Sequence, residues 1–145
     1  MGGGPSGLAA ATELRRLGVG HVTVLDRESD AGGIPRHCGH PPFGLREFRR
    51  IHKGPEYAQR LVAAARSAGV DIRPHTTVTR INAGPLLQLT SPDGLEELAA
   101  DRILLATGVR ETPRSARLIS GTRPLGVITT GALQSMVYLK DRRPC

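Results

Sequence analysis

The chain of 145 residues has no tryptophan, and aromatic side chains make up only 3% of it. Any core must therefore be built from Leu, Val, Ile and Ala, within a hydrophobic content of 39%. The same shortage leaves little to stack on nucleobases. Long apolar runs are absent too: nothing approaches the ~20 residues of a membrane span, and no secretory leader is visible. Cysteine is scarce. Cys38 and Cys145 stand far apart without C-x-x-C spacing, which offers no disulfide framework and no zinc site and suits a reducing cytoplasm. No Ser-His-Asp spacing and no paired carboxylates point to hydrolysis.

What the chain does have is glycine, at 18 positions, and positive charge, with 20 Lys and Arg against 13 Asp and Glu for a net +7. A basic balance fits nucleic acid, an anionic membrane or an anionic cofactor. The basic residues are scattered, as in Arg15-Arg16, Arg49-Arg50 and Arg142-Arg143. With almost no aromatic residues interleaved among them, they lack a nucleic-acid footprint. The expected location is cytoplasmic, with no nucleic-acid partner and no membrane span. The length suits one domain over residues 1–145.

Organisation begins at once with "GGGPSGLAAATELRRLG". Leu8, Ala11 and Leu14 recur on one face, Pro5 suits a first helical position and Gly18 a stop, so a helix is predicted. "HVTVLDRE" reads as a buried parallel strand ending at Asp26. Residues 30–54 show no period, and a long excursion of this kind usually carries function. "PEYAQRLVAAARSAG" reads as a second helix capped by Gly69, with Tyr57, Leu61, Ala64 and Ala68 apolar. "VDIRP" is a short strand. "TTVTRIN", "PLLQLTS" and the stretch after the "SPDG" turn form an antiparallel meander. "RILLA" is expected to return as a buried strand, and "TGALQSMVYL" as a helix. There is no internal repeat.

Gly2-x-Gly4-x-x-Gly7 fits G-x-G-x-x-G. In that loop the first glycine allows a tight turn, the second lets backbone amides approach a pyrophosphate, and the third lets helix pack on strand. The helix start adds unpaired N–H groups and a partial positive charge. The fingerprint also needs a carboxylate about 20 residues on, at the end of the next strand. Asp26 stands there. Loop, helix, strand and acid in this order outweigh a glycine-rich helix entry with a solvated Asp. Met1-Gly2 with Ser6 also matches an N-myristoylation pattern, but that reading explains neither Pro5 nor Asp26.

On these residues the chain resembles the FAD-dependent pyridine-nucleotide oxidoreductases, which carry two dinucleotide-binding domains. "GGGPSGL" is similar to their FAD pyrophosphate loop and Asp26 to their ribose-binding acid. Gly32-Gly33 resembles their second glycine pair, Val78 in "TTVTRI" their adenine-side strand, and "ILLATG" (residues 103–108) their A-T-G motif. "GGIPRHCGHPPFGLREFRR" with "ATGVRETPRSARLI" resembles a subgroup similar to flavin subunits of hydrogen cyanide synthase and of opine or proline dehydrogenases. The family has an apolar strand before the glycine loop and a second, NAD(P)-binding unit after it. The resemblance therefore implies an FAD-binding segment cut at both ends.

The fold expected is α/β: Rossmann-like and dinucleotide-binding, with a small antiparallel meander and its first strand lacking. The resemblance implies FAD held by Gly2, Gly4, Pro5, Ser6, Gly7, Asp26, Arg27, Gly33, Arg36, Val78, Ala106, Thr107 and Gly108. NAD(P) would enter only through the second domain. The expected activity passes hydride between a small-molecule substrate or NAD(P)H and FAD. The alternative is a non-catalytic fragment, or a flavin subunit that depends on a partner.

No acid, base or nucleophile is assigned. "RHCGH" offers Arg36 and His37 to flavin or phosphates, with Cys38 at most a modulator, or else forms a surface turn. His37, Cys38 and His40 in a row do not make a metal site. "REFRR" with Lys53 reads as a solvated basic face, or as one that attracts the FAD diphosphate or a partner subunit.

Overall fold

A computed structural model describes residues 1–122 and 126–143. The elements are α1 (Pro5–Arg16), β1 (Thr23–Leu25), α2 (Leu45–Phe48), α3 (Gly54–Ser67), β2 (Asp71–Arg73), β3 (Thr77–Asn82), β4 (Leu86–Ser91), β5 (Gly94–Ala99) and α4 (Thr130–Lys140). Short 3-10 turns lie at Ile34–His37 and Arg114–Arg117. Two compact units are distinguishable. One comprises Met1–Gly33 and Ala58–Gly108, the other Ile34–Tyr57 and Val109–Cys145.

In the first unit β1 and β2 pair in parallel, Val24 opposite Ile72 and Leu25 opposite Arg73. A parallel pair needs a long crossover rather than a hairpin. Between them the chain makes the 30–54 excursion and then α3. Strands β3, β4 and β5 form the antiparallel meander in sequence order, with a register irregularity between Val78 and Arg80. Alternation along β4 buries Leu87 and Leu89. These two and Leu25 form a cluster against which Met1, Val78, Leu98 and Ile103 pack. Helix α1 starts on Pro5 and gives way to Gly18 at φ +90°, as its sequence requires. It buries Leu8 and Ala11 but leaves Leu14 exposed.

The "RILLA" expectation is corrected. Residues 103–108 form no assigned strand. Their backbone bonds run to one residue: the Met1 ammonium donates to the Leu104 carbonyl at 2.6 Å, and Ala106 N–H donates to the Met1 carbonyl at 2.9 Å. Gly2 N–H meanwhile donates to the Leu25 carbonyl at 2.8 Å. Met1 and Gly2 thus link the end of β1 to residues 104–106. Leu104 and Leu105 are 49% and 62% exposed.

The second unit is built on rings. Phe43 and His52 form an isolated antiparallel bridge, and Phe48 packs edge-on against both His52 and Tyr57. His52 is buried and shares a 2.8 Å contact between Nδ1 and Glu56 Oε1. Helix α4 is capped twice. Thr129 Oγ1 accepts from Ala132 N–H at 3.4 Å, and Glu111 Oε2 accepts from Gly131 N–H at 2.8 Å. Hydrogen bonds to Glu111 from the Thr129 side chain and from the Gly131 N–H, with the nearby Arg117 charge, hold its carboxyl below its ordinary range.

Candidate functional site

Helix α1 begins without a side-chain cap. Gly4 is its N-cap and brings no side-chain hydrogen bond, and the first turn has no acidic residue. Pro5 has no N–H to lose, and Leu8 N–H returns to the Gly4 carbonyl at 2.9 Å. This leaves the Ser6 and Gly7 amides at the helix start, where the first turn has no intrahelical acceptors. An end of this kind favours an anion.

The glycines explain how the loop closes round that end. Gly2 has φ +99°, and a Cβ there would stand 2.2 Å from the Ala106 carbonyl oxygen. A Cβ on Gly7 would stand 2.0 Å from the Gly2 carbonyl oxygen, so the helix packs directly on the loop backbone. Gly33, at φ +64°, brings its backbone so near that a Cβ would meet Gly4 Cα at 2.8 Å. Gly4 is different: a Cβ there would find only Gly33 Cα, at 3.9 Å. Three glycines are demanded by packing, whereas the room beside Gly4 is not filled by the protein.

Asp26 ties the loop to the end of β1. Its N–H donates to the Arg73 carbonyl at 3.0 Å and its carbonyl accepts from Thr76 N–H at 2.8 Å, fixing its backbone beside β2. Its side chain turns to the loop: Oδ2 accepts from Gly3 N–H at 2.7 Å and Oδ1 from Glu28 N–H at 2.9 Å. A carboxylate has about four lone-pair sites, so each oxygen keeps one for a ligand hydroxyl. Burial draws the Met1 ammonium below its ordinary pKa, against the opposing pull of Asp26.

The sequence-predicted residues therefore divide. Gly2, Gly4, Pro5, Ser6, Gly7, Asp26, Gly33, Ala106 and Thr107 come together round the start of α1. Gly108 follows at φ +69° in open space. Val78 lies on β3 against the cluster that Met1 also touches. Arg27 is exposed and pairs with Glu28 at 3.4 Å. Arg36 belongs to the second unit.

Sequence reasoning missed Gly3, the free position of the motif. A Cβ there would stand 2.6 Å from Asp26 Oδ2 and 3.0 Å from Ala31 Cβ. The middle glycine of "GGG" was its signal.

"RHCGH" does not converge. Cys38 Sγ reaches the Ile34 carbonyl at 3.5 Å, His40 Nδ1 the Pro41 carbonyl at 2.9 Å, and His37 Nδ1 is buried without a partner among the described residues. No group of three His, Cys, Asp or Glu side chains stands ready for a metal ion among those residues. No helix among them is long and apolar enough to cross a membrane.

A parallel β-pair, a glycine loop opening a helix and an acid closing the next strand define a Rossmann-like fold of the dinucleotide-binding kind. Residues 1–66 match the NAD(P)-binding Rossmann-like domain family. Among individual proteins, the chain is similar to hydrogen cyanide synthase subunit HcnB of Pseudomonas aeruginosa, 34% identical over 143 residues covering 94% of this chain and 29% of that protein. It is also similar to the small chain of glutamate synthase [NADPH] from Mycobacterium tuberculosis, 34% identical over 127 residues covering 83% of this chain and 22% of that one. Among solved structures, L-proline dehydrogenase from P. horikoshii aligns with TM-score 0.61 and 26% identity over 74% of this chain and 21% of that chain. The chain thus spans less than a third of each of these relatives.

Proposed function

We propose that this chain is the FAD-binding portion of a flavoprotein oxidoreductase. The observation that carries the reading is the convergence of Gly2, Gly7, Gly33, Asp26 and Ala106 round an uncapped helix start, with unfilled room beside Gly4. A pyrophosphate fits that cradle: the Ser6 and Gly7 amides face it, and Asp26 is placed to accept from a ribose hydroxyl. Val78 would lie on the adenine side, and Thr107 and Gly108 toward the flavin. When bound, the flavin supplies the redox chemistry, passing hydride between a small-molecule substrate or NAD(P)H and itself. The protein's part is to bind and orient. NAD(P) would be met outside these residues, in a second dinucleotide-binding unit, and the expected compartment is the cytoplasm.

The names of two relatives, a subunit and a small chain, favour a flavin subunit that acts with a partner. The exposure of Leu104 and Leu105 supports the same reading, since such residues ask for cover. Titrating the purified protein with FAD and with ADP tests the cofactor reading. Saturable binding of both, competitive with each other and with a flavin absorbance band near ~450 nm for FAD, is expected. A protein that takes up neither contradicts it.

A further inference from the structure

The net charge of this protein is not shared between its two units. Residues 34–57 and 109–145 carry twelve Lys and Arg against four Asp and Glu, a net +8. The remaining residues carry eight against nine, a net −1. The dinucleotide loop therefore sits in the unit that is close to neutral, and the excess positive charge lies in the other. Within that unit no nine-residue stretch elsewhere has as many basic residues as 45–53, with Arg46, Arg49, Arg50 and Lys53 all exposed and Glu47 as its one acid.

This stretch is held firmly from its inner side. The bridge between Phe43 and His52 closes it, with N–H to carbonyl distances of 3.1 and 2.9 Å. Phe48 turns in toward His52 and Tyr57, at ring-centroid separations of 5.9 and 6.0 Å. The outer side presents Leu45 and Ile51, 60% and 56% exposed, among the basic residues. Arg49 caps α2 in the left-handed region at φ +51°, a conformation that glycine adopts without strain and arginine does not. Arginine thus stands where the backbone geometry favours glycine, which points to a use for its side chain.

We propose that residues 45–53 form a docking surface for an acidic protein, the partner subunit of the reading above. The composition selects that class. Ten of the twelve basic residues in this unit are arginine, and arginine with exposed apolar neighbours is enriched in protein interfaces where lysine is depleted. A nucleic-acid groove would need aromatic rings facing outward, and here Phe48 packs inward. A membrane-surface site would need an amphipathic helix, and α2 has four residues. Opposite charge on the partner would steer encounter and set register.

The test is anisotropy of a fluorescein-labelled peptide of Glu with interspersed Leu, titrated with the full chain at low salt. R49E/R50E is compared with R142E/R143E, an exposed arginine pair of the same unit that changes net charge equally. R49E/R50E is expected to weaken binding about tenfold or more, and R142E/R143E by less than about twofold. R49G, which relieves the left-handed backbone, should weaken binding about threefold while leaving Tm unchanged or raised. Its combination of lost affinity and kept stability decides the matter should the double variant fail to fold.

Equal losses from both pairs, or no binding by the parent, would overturn the proposal. So would a larger effect of R49E/R50E on duplex DNA or on phosphatidylglycerol vesicles than on the peptide. ADP titration of the same samples separates the two readings. ADP binding without peptide binding removes the docking surface alone, and peptide binding without ADP binding removes the dinucleotide site alone.

Discussion

Gly7 lies against the Gly2 backbone so closely that a single added methyl on Gly7 lands 2.0 Å from the Gly2 carbonyl oxygen. That neighbour is backbone and cannot swing aside, so Gly7→Ala should cost about 1–3 kcal/mol through overpacking. Thermal unfolding would register this as a drop of several degrees. Asp26 works differently, since both its oxygens accept from backbone amides at Gly3 and Glu28. Asp26→Asn turns one acceptor into a donor facing an N–H, at about 1–3 kcal/mol. Hydrogen exchange at the Gly3 amide in ligand-free protein should quicken. Unchanged exchange would show that Asp26 does not hold the loop.

At the scale of elements, the sequence was legible wherever pattern and punctuation agreed. Pro5 and Gly18 bracket α1, alternation buries Leu87 and Leu89 on β4, and "SPDG" turns β4 into β5. It failed at "RILLA", whose residues 104–106 bond to Met1 without forming an assigned strand. Residue type alone does not show whether a ladder forms. The excursion over residues 30–54 was also opaque, since its order comes from ring packing round His52 rather than from any period. His52→Ala removes the Glu56 contact and the ring against Phe48, for an expected loss of about 2–4 kcal/mol in that unit. Limited proteolysis near residues 45–53 should speed up.

Helix α4 gives a pH test at the same scale. The Glu111 carboxyl is held below its ordinary 4.5 chiefly by its Thr129 and Gly131 hydrogen bonds. A depressed carboxylate contributes stability that is full above its unfolded value and fades as pH falls through the folded one. Exchange at the Gly131 amide should therefore rise as pH drops below 4.5, after correction for intrinsic rates. Glu111→Gln should abolish that pH dependence. A persistent dependence in the variant would assign it to another group.

For the molecule as a whole, the glycine loop and its acid were readable because the chemistry of an anion at a helix start dictates residue types at fixed spacing. The tie between Gly3 and Asp26 was not, since the motif leaves Gly3 free. Nor was the partition of charge, which depends on how the chain divides in space. The central claim is that the room beside Gly4 belongs to a dinucleotide pyrophosphate. Gly4 has φ −76°, and an added Cβ meets nothing nearer than 3.9 Å, so the protein itself tolerates alanine there. The most direct measurement is isothermal titration of Gly4→Ala with ADP and FAD beside its thermal unfolding. A Tm within about 3 °C of the parent with affinity reduced tenfold or more, about 1.4 kcal/mol, is the predicted result. Undiminished affinity in a stably folded Gly4→Ala protein would contradict it.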